Sequence, residues 1–196
     1  MSKISFVKTI VPMGQYKDRE KVGDVYLIHF DPVEKEGMNA YECVECSVPV
    51  ADYNVEEVKA EYEVWKRNHN AAELAYAIRS KVAEIEAYDT SDKVNGFVLN
   101  GMTVWLDKAT RVGLMNSTTI AKAAGQQTTT LWLGDVKLEV DCDKAIQLLS
   151  ALEMYALECF NVTAAHKAAV ADLKTIEEVE AFNVTADYPK QLEMKL

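Results

Sequence analysis

The chain has 196 residues, 49% of them hydrophobic, and its 21 basic and 31 acidic side chains give a formal net charge of −10. This length and apolar content predict one or two small domains with a real core. The acidic balance argues against non-specific nucleic-acid binding and against anionic membranes, and no segment approaches the roughly 18 apolar residues of a membrane-spanning helix.

Residues 1–54 are predicted to form a small β-rich attachment domain. Three segments are rich in β-branched and aromatic residues, and they span 4–11, 24–30 and 41–48. Asp31-Pro32 is expected to stop the second strand, and the polar stretch 14–23 is interpreted as a connection. The first residues lack the apolar run of a secretory signal, so we expect folding in a cytoplasm with reduced thiols.

Residues 55–88 are predicted to connect two domains, with one helix over 55–87 because no proline or glycine interrupts the run. Asn54 is placed to cap that helix. The apolar residues form two offset stripes, which are Val55, Val58, Tyr62 and Trp65 in the first half and Leu74, Ile78, Val82 and Ile85 in the second. Packing on two different bodies is the favoured interpretation, and a short oligomerising coiled coil is the alternative.

Residues 89–196 are predicted to form an α+β module. Asn100-Gly101 between two apolar runs is the strongest short-range signal for a hairpin, and a second hairpin is expected across Gly134-Asp135. Helices are predicted over 108–124, 143–174 and 175–181, the last begun by a capping box at Thr175. Asn161 offers a new cap that would break the long helix.

The predicted fold class is therefore α+β. It consists of a small N-terminal β unit, a long linking helix and a C-terminal module of two β-hairpins packed with helices.

No catalytic, cofactor-binding or metal-binding residue is predicted. Cys43 and Cys46 have C-x-x-C spacing, but zinc needs a second pair and strand residues three apart point to opposite faces, so both are interpreted as structural. His29, His69 and His166 lie in separate predicted elements beside no nucleophile signature, and each is expected to be exposed or half-buried.

Asp107 precedes the helix predicted to begin at residue 108 and is expected to cap it. Arg111, four residues further on, is expected to pair with Asp107 as an i,i+4 ion pair. Structural capping is preferred over a catalytic Asp–Arg pair because no nucleophile is near.

Trp105 and Trp132 occupy equivalent places in the two predicted hairpins. We expect both indoles to belong to the core face of one four-stranded sheet that packs on helix 143–174, through apolar residues such as Ile146, Leu149 and Phe160. The alternative is a pair of exposed indoles that line a sugar-stacking site.

Four runs of the sequence carry a resemblance to a known family, and they span 83–91, 104–111, 130–132 and 175–189. The run Trp105-Leu106-Asp107-Lys108-Ala109-Thr110-Arg111 is the most specific. On these runs, residues from about 83 to 192 resemble an uncharacterised domain family found in tail-region genes of phages and prophages of gut bacteria, often near tail-fibre genes. The resemblance implies a setting and no activity, and it does not extend to the first 50 residues.

We therefore expect a structural or assembly protein of a phage tail or tail-fibre region, located in the virion after assembly in the host cytoplasm. Its expected partners are other phage structural proteins and further copies of itself. The alternatives are a tail-fibre chaperone and a carbohydrate-binding module that uses Trp105 or Trp132. An enzyme, a nucleic-acid partner, a membrane partner and a cofactor are not expected.

Overall fold

The computed structural model describes residues 4–134 and 136–195, and these divide into two compact units, with the boundary between Glu73 and Leu74. The mixed α and β content confirms the predicted fold class. In chain order the elements of unit 1 are β1 (Phe6–Pro12), β2 (Arg19–Val22), β3 (Val25–Lys35), β4 (Ala40–Pro49) and the first half of α1 (Val55–Asp89). Those of unit 2 are the rest of α1, then α2 (Asp92–Asn95), β5 (Gly96–Leu99), β6 (Met102–Trp105), α3 (Lys108–Ala123), β7 (Thr128–Leu133), β8 (Val136–Asp141), α4 (Cys142–Ala171), α5 (Ile176–Ala181) and β9 (Leu192–Met194).

The first half of α1 covers one face of the sheet in unit 1. The sheet is antiparallel with strand order β1-β4-β3-β2. Its core face contributes alternate residues of β4, and α1 contributes Val58 and Tyr62, both 3% exposed. Asn54 Oδ1 accepts hydrogen bonds from the backbone N–H groups of Glu56 and Glu57, which confirms the predicted cap.

Unit 1 has four strands where three were predicted. The additional strand, β2, lies in the stretch that was interpreted as a connection, and it pairs with β3 at the edge of the sheet. Its residues Arg19-Glu20-Lys21-Val22 carry no apolar alternation. An edge strand packs little against the core, so it can be polar, and the hydrophobic pattern cannot reveal it.

Asp31-Pro32 does not end the second predicted strand. β3 continues to Lys35 through an irregularity in its pairing between Phe30 and Val33. Asp31 adopts a left-handed backbone conformation there, with φ of 48°. Pro32 is tolerated because β2 covers only residues 25–28 of β3, so no neighbour on that side needs the N–H that proline lacks.

The Asp31 carboxylate accepts hydrogen bonds from two side chains of α1. Hydrogen bonds from the Lys66 ammonium and the Tyr62 hydroxyl hold the pKa of Asp31 below its usual value. A depressed pKa stabilises the folded state above the ordinary carboxyl pKa of about 3.9, and this contribution is lost as the pH falls through the lower folded value.

We expect Asp31→Asn to make the unfolding free energy of unit 1 less dependent on pH below about pH 4. Asparagine tolerates the left-handed conformation as well as aspartate does, so the backbone is preserved. Urea unfolding followed by Trp65 fluorescence, in a background with the other two tryptophans replaced by phenylalanine, measures this. If the unfolding free energy of Asp31→Asn fell with acid as steeply as that of the wild type, the lowered pKa of Asp31 would be contradicted.

The second half of α1 packs in unit 2, so one unbroken helix is shared between the units. Ile85 is fully buried with Val170 of α4, and Ile78 and Val82 pack at the edge of the same cluster. Val58, Tyr62 and Trp65 of the first stripe thus pack in a different cluster from Ile78, Val82 and Ile85 of the second, whereas Val55 is 42% exposed. None of the helices in the described part of the chain combines the length and the apolar character that a bilayer crossing requires.

The core of unit 2 lies between short strands and the long helix α4. The hairpin of β5 and β6 turns at Asn100 and Gly101, whose φ values of 50° and 84° are those of the predicted tight turn. Phe97, Leu99, Leu149 and Leu152 are each at most 1% exposed. The second hairpin, β7 and β8, is also confirmed, although Asp135 of its turn lies outside the described residues.

Two expectations for unit 2 are wrong. The two hairpins do not form one four-stranded sheet: β7 and β8 make a separate pair, and β5 lies between β6 and the parallel strand β9, which was not predicted. The long helix does not break near Asn161 but runs from Cys142 to Ala171, because one face stays buried through Cys159, Thr163 and His166. The capping box at Thr175 is confirmed.

Candidate binding surfaces

Trp105 and Trp132 are exposed, so the expectation that both belong to the core is wrong. Trp105 is 45% exposed and Trp132 is 57% exposed. The aliphatic residues on either side of each tryptophan are buried instead, and they are Val104, Leu106, Leu131 and Leu133. Successive side chains of a strand point to opposite faces, so each indole points away from the face that builds the core.

A cleft of about 440 Å³ opens beside Trp105. Its walls come from the end of β6, the first turn of α3, the end of α1, the short helix α2 and the middle of α4. The side chains that define its chemistry are Trp105, Asp107, Arg111, Glu153, Leu157 and Phe160. Trp132 does not line this cleft; it lies in the separate β7–β8 pair. The two tryptophans therefore do not line one common site, as the alternative of a sugar-stacking pair required.

The α4 wall of the cleft presents large apolar side chains to solvent. Leu157 is 49% exposed and Phe160 is 64% exposed, although Phe160 was expected in the core. With Glu153 and Ala156 these residues have the i, i+3, i+4, i+7 spacing of one helical face. The adjoining face of α4 supplies the core, through Leu149, Leu152 and Tyr155. Two apolar faces on one helix explain why the apolar pattern alone could not locate its buried side.

Arg111 forms the floor of the cleft and is only 7% exposed. Its Nε donates to Glu153 Oε1 at 2.9 Å, and its Nη1 donates to the backbone carbonyl of Leu106 at 2.7 Å. The predicted i,i+4 pair with Asp107 is not formed. Pairing with Glu153 instead ties the first turn of α3 to α4, because the guanidinium reaches a carboxylate on the neighbouring helix.

Asp107 caps α3 as predicted. Its Oδ1 accepts from the backbone N–H of Thr110 at 2.9 Å, and its Oδ2 accepts from the Thr110 hydroxyl at 2.6 Å. These hydrogen bonds lower the pKa of Asp107, the hydroxyl contributing most, so the group is a carboxylate at neutral pH. The cap and Arg111 together fix the chain immediately after Trp105.

Asp89 and Asn95, which line the cleft, are held by polar contacts. The Thr163 hydroxyl donates to Asp89 Oδ1 at 2.7 Å and also contacts the Tyr188 hydroxyl at 2.8 Å. Asn95 Nδ2 donates to the backbone carbonyl of Asp89 at 2.7 Å. The cleft wall is therefore held by side chains that are far apart in sequence.

A second concave surface, of about 650 Å³, lies on unit 1 beside α1. Its base is apolar and is built from Ile4, Ala60, Val64 and Trp65, with Glu57, Glu61, Asn68 and His69 at its edges. Val64 is 54% exposed. The Trp65 ring stacks on His69 with 4.7 Å between the ring centroids. We call this surface the α1 groove.

The cysteines of the described residues are free thiols, and all four are buried. Cys43 and Cys46 are each 2% exposed, and burial raises the pKa of Cys46 to about 11, so this thiol stays protonated at neutral pH. No cluster of three or more His, Cys, Asp or Glu residues in 4–134 and 136–195 is arranged to hold a metal ion.

His29 is half-buried, as expected, whereas His166 is buried. His29 Nδ1 donates to the carbonyl of Lys17 at 2.6 Å while Nε2 lies 3.0 Å from Glu45 Oε2, so both ring nitrogens are occupied. His166 is 6% exposed and meets Phe182 and Tyr188 edge to face. His69 is half-buried, as expected.

Comparison with known proteins identifies the second half of the chain. A family model described as Domain of unknown function (DUF4376) matches residues 76–186, which is more than half of the chain. No curated protein and no solved structure matches it. The matched segment contains most of unit 2, including Trp105, Arg111 and the α4 wall of the cleft, and it agrees with the resemblance to an uncharacterised domain family. The chain belongs to the DUF4376 family.

Proposed function

We propose that this protein is a structural or assembly component of a phage tail or tail-fibre region, which acts as a homo-oligomer through protein–protein contacts and catalyses no reaction. Its proposed partners are other structural proteins of the phage, and its proposed location is the virion. The setting is supported by the resemblance of residues 83–192 to a family of phage and prophage tail-region proteins.

The observation that carries this proposal is the α1 groove. Val64 exposes an aliphatic side chain next to Trp65 in a concave surface whose base is apolar. Contiguous exposed apolar surface with a polar rim is typical of protein–protein interfaces, and a large aromatic anchor beside it is typical of their energetic centres. The groove lies on unit 1, which the family match does not include. Attachment through the N-terminal unit agrees with this placement.

Mass spectrometry of purified phage particles that carry this gene tests the proposal. A structural component is present at a fixed ratio to the other tail proteins. If the protein is required for fibre assembly but absent from finished particles, the tail-fibre chaperone is the better description. If particles and fibres form normally without it, both descriptions fail.

A matched pair of variants tests the α1 groove itself. We expect Val64→Glu to lower the amount of protein in particles by about tenfold or more, because a charge is placed where an apolar contact is buried. Val112→Glu is the control, because Val112 is a helical valine that is 43% exposed and lies outside the groove. Circular dichroism verifies that both variants fold. Equal incorporation of the two folded variants would remove the groove from the proposal.

A further inference from the structure

Trp105 is 45% exposed in a cleft where hydrogen bonds hold Asp107 and Arg111. In the β5–β6 pair its cross-strand partner is Gly96, so no side chain of the neighbouring strand is available to cover the indole. Glycine is required there because a Cβ would lie 2.0 Å from the backbone oxygen of Asp92. The fold thus presents an aromatic face next to a position that cannot carry a side chain.

The polar side chains of the cleft are held in place and keep unused hydrogen-bonding capacity. Asp107 accepts two hydrogen bonds from Thr110, whereas a carboxylate has about four acceptor sites. Arg111 uses Nε and Nη1, whereas a guanidinium carries five N–H donors. Fixed donors and acceptors cost little conformational entropy when they bind a ligand, because they are already ordered.

We propose that this cleft binds a neutral saccharide, which stacks on Trp105 and is hydrogen-bonded at its hydroxyl groups by Asp107 and Arg111. A pyranose has one face of polarised C–H bonds, which suits the electron-rich face of an indole. Its rim of hydroxyl groups both donates and accepts, which suits a cleft that is lined by both a carboxylate and a guanidinium. The cleft, at about 440 Å³, is within the usual range of small-molecule sites.

The charges of the cleft favour a neutral ligand. Three carboxylates, from Asp89, Asp107 and Glu153, face two cations, from Lys108 and Arg111. Since Arg111 is paired with Glu153, the remaining side chains carry a net negative charge. Sialic acids, uronic acids and phosphorylated sugars would therefore be repelled.

An array of oligosaccharides probes the purified full-length protein directly. It should carry neutral chains of glucose, galactose, mannose and N-acetylated hexosamines, with sialylated and uronic-acid chains as charged comparators. We expect signal on a subset of the neutral chains. The neutral chain with the strongest signal is then titrated calorimetrically against the wild-type protein and three variants.

Trp105→Ala is expected to weaken that binding by about tenfold or more, because the stacking surface is lost. Trp132→Ala is the matched control: it removes an indole that is 57% exposed but lies outside the cleft, and its effect should be less than about twofold. Asp107→Asn keeps a good helix cap while weakening the acceptor, so we expect a loss of about three- to tenfold.

Three results would overturn the proposal: no binding to any neutral chain, a preference for charged chains, or equal losses from Trp105→Ala and Trp132→Ala. A fourth is an oligomeric wild-type protein whose Trp105→Ala variant is monomeric. The cleft would then be occupied by a second copy of the chain. None of these results depends on Val64 or on incorporation into particles, so the assembly function and the saccharide site fail separately.

Discussion

Phe97→Ala is expected to lower the free energy of unfolding of unit 2 by about 3–5 kcal/mol, whereas Trp105→Ala should cost only about 1–2 kcal/mol. Phe97 has no exposed surface and belongs to the central strand β5, so truncation leaves a cavity that the surrounding residues cannot close. Trp105 lies on the neighbouring strand and is 45% exposed, so its removal deletes only part of its surface from the packed region and leaves no enclosed cavity.

Thermal and urea unfolding, followed by far-ultraviolet circular dichroism, compares the two variants with the wild type. Because a small domain has a total stability of roughly 5–15 kcal/mol, Phe97→Ala removes a large fraction of it and the protein is expected to aggregate readily. Trp132→Ala should resemble Trp105→Ala. A loss from Trp105→Ala as large as that from Phe97→Ala would show that the indole is packed in solution.

Arg111→Met is expected to destabilise unit 2 by about 2–4 kcal/mol. Methionine keeps the apolar stem of the side chain but removes the donors to Glu153 and to the backbone carbonyl of Leu106. That carbonyl is then left without its partner at a buried position, and the Glu153 carboxylate loses its cation. Glu153 is about one-third exposed, so water partly solvates it, and the cost stays below that of a fully buried orphan charge.

A double-mutant cycle separates the ion pair from the backbone contact. In Arg111→Met combined with Glu153→Gln the stranded charge is gone, so part of the lost stability should return, and the measured coupling is the contribution of the pair. Arg111→Lys keeps the charge but not the planar fork, and it should fall between Met and wild type. If Arg111→Met left the unfolding free energy unchanged, the attraction between Arg111 and Glu153 would be cancelled by the cost of removing both charges from water.

Local signals predicted the elements of this fold well. Asn54 and Thr175 supply side-chain oxygens where helices begin, and Asn100-Gly101 supplies the two positive φ values that a tight hairpin needs. Each signal acts within a few residues of itself, so it can be read without knowledge of the tertiary structure. The expectation of one four-stranded sheet failed because pairing between hairpins is set by tertiary packing.

The alternation of residues around both tryptophans is compatible with exposed indoles. The expectation of buried indoles rested instead on the large size of the tryptophan side chain. Trp105 and Trp132 each stand between two aliphatic residues in a strand of period two. Either the aromatic residue or its two neighbours can face the core. In both cases the two aliphatic neighbours are buried and the tryptophan is exposed. Burying two aliphatic side chains therefore decides which face of the strand points to the core, and the size of the single indole does not.

The candidate cleft could not be assembled from the sequence. Trp105, Arg111 and Phe160 come from three different elements, and Arg111 reaches Glu153 across 42 positions of the chain. Apolar residues that line a cleft follow the same helical spacing as core residues, as Leu157 and Phe160 show. Only the packing of α3 and β6 on α4 distinguishes them.

Strand β9 has a practical consequence for work on the DUF4376 family. The family match ends at residue 186, but β5 pairs in parallel with Leu192–Met194, and Met194 also accepts a hydrogen bond from the Asn100 backbone. A fragment trimmed to the matched residues would leave the central strand β5 with an open edge, available to pair with another molecule. Expression boundaries for this family are therefore better drawn beyond residue 194 than at the limit of sequence similarity.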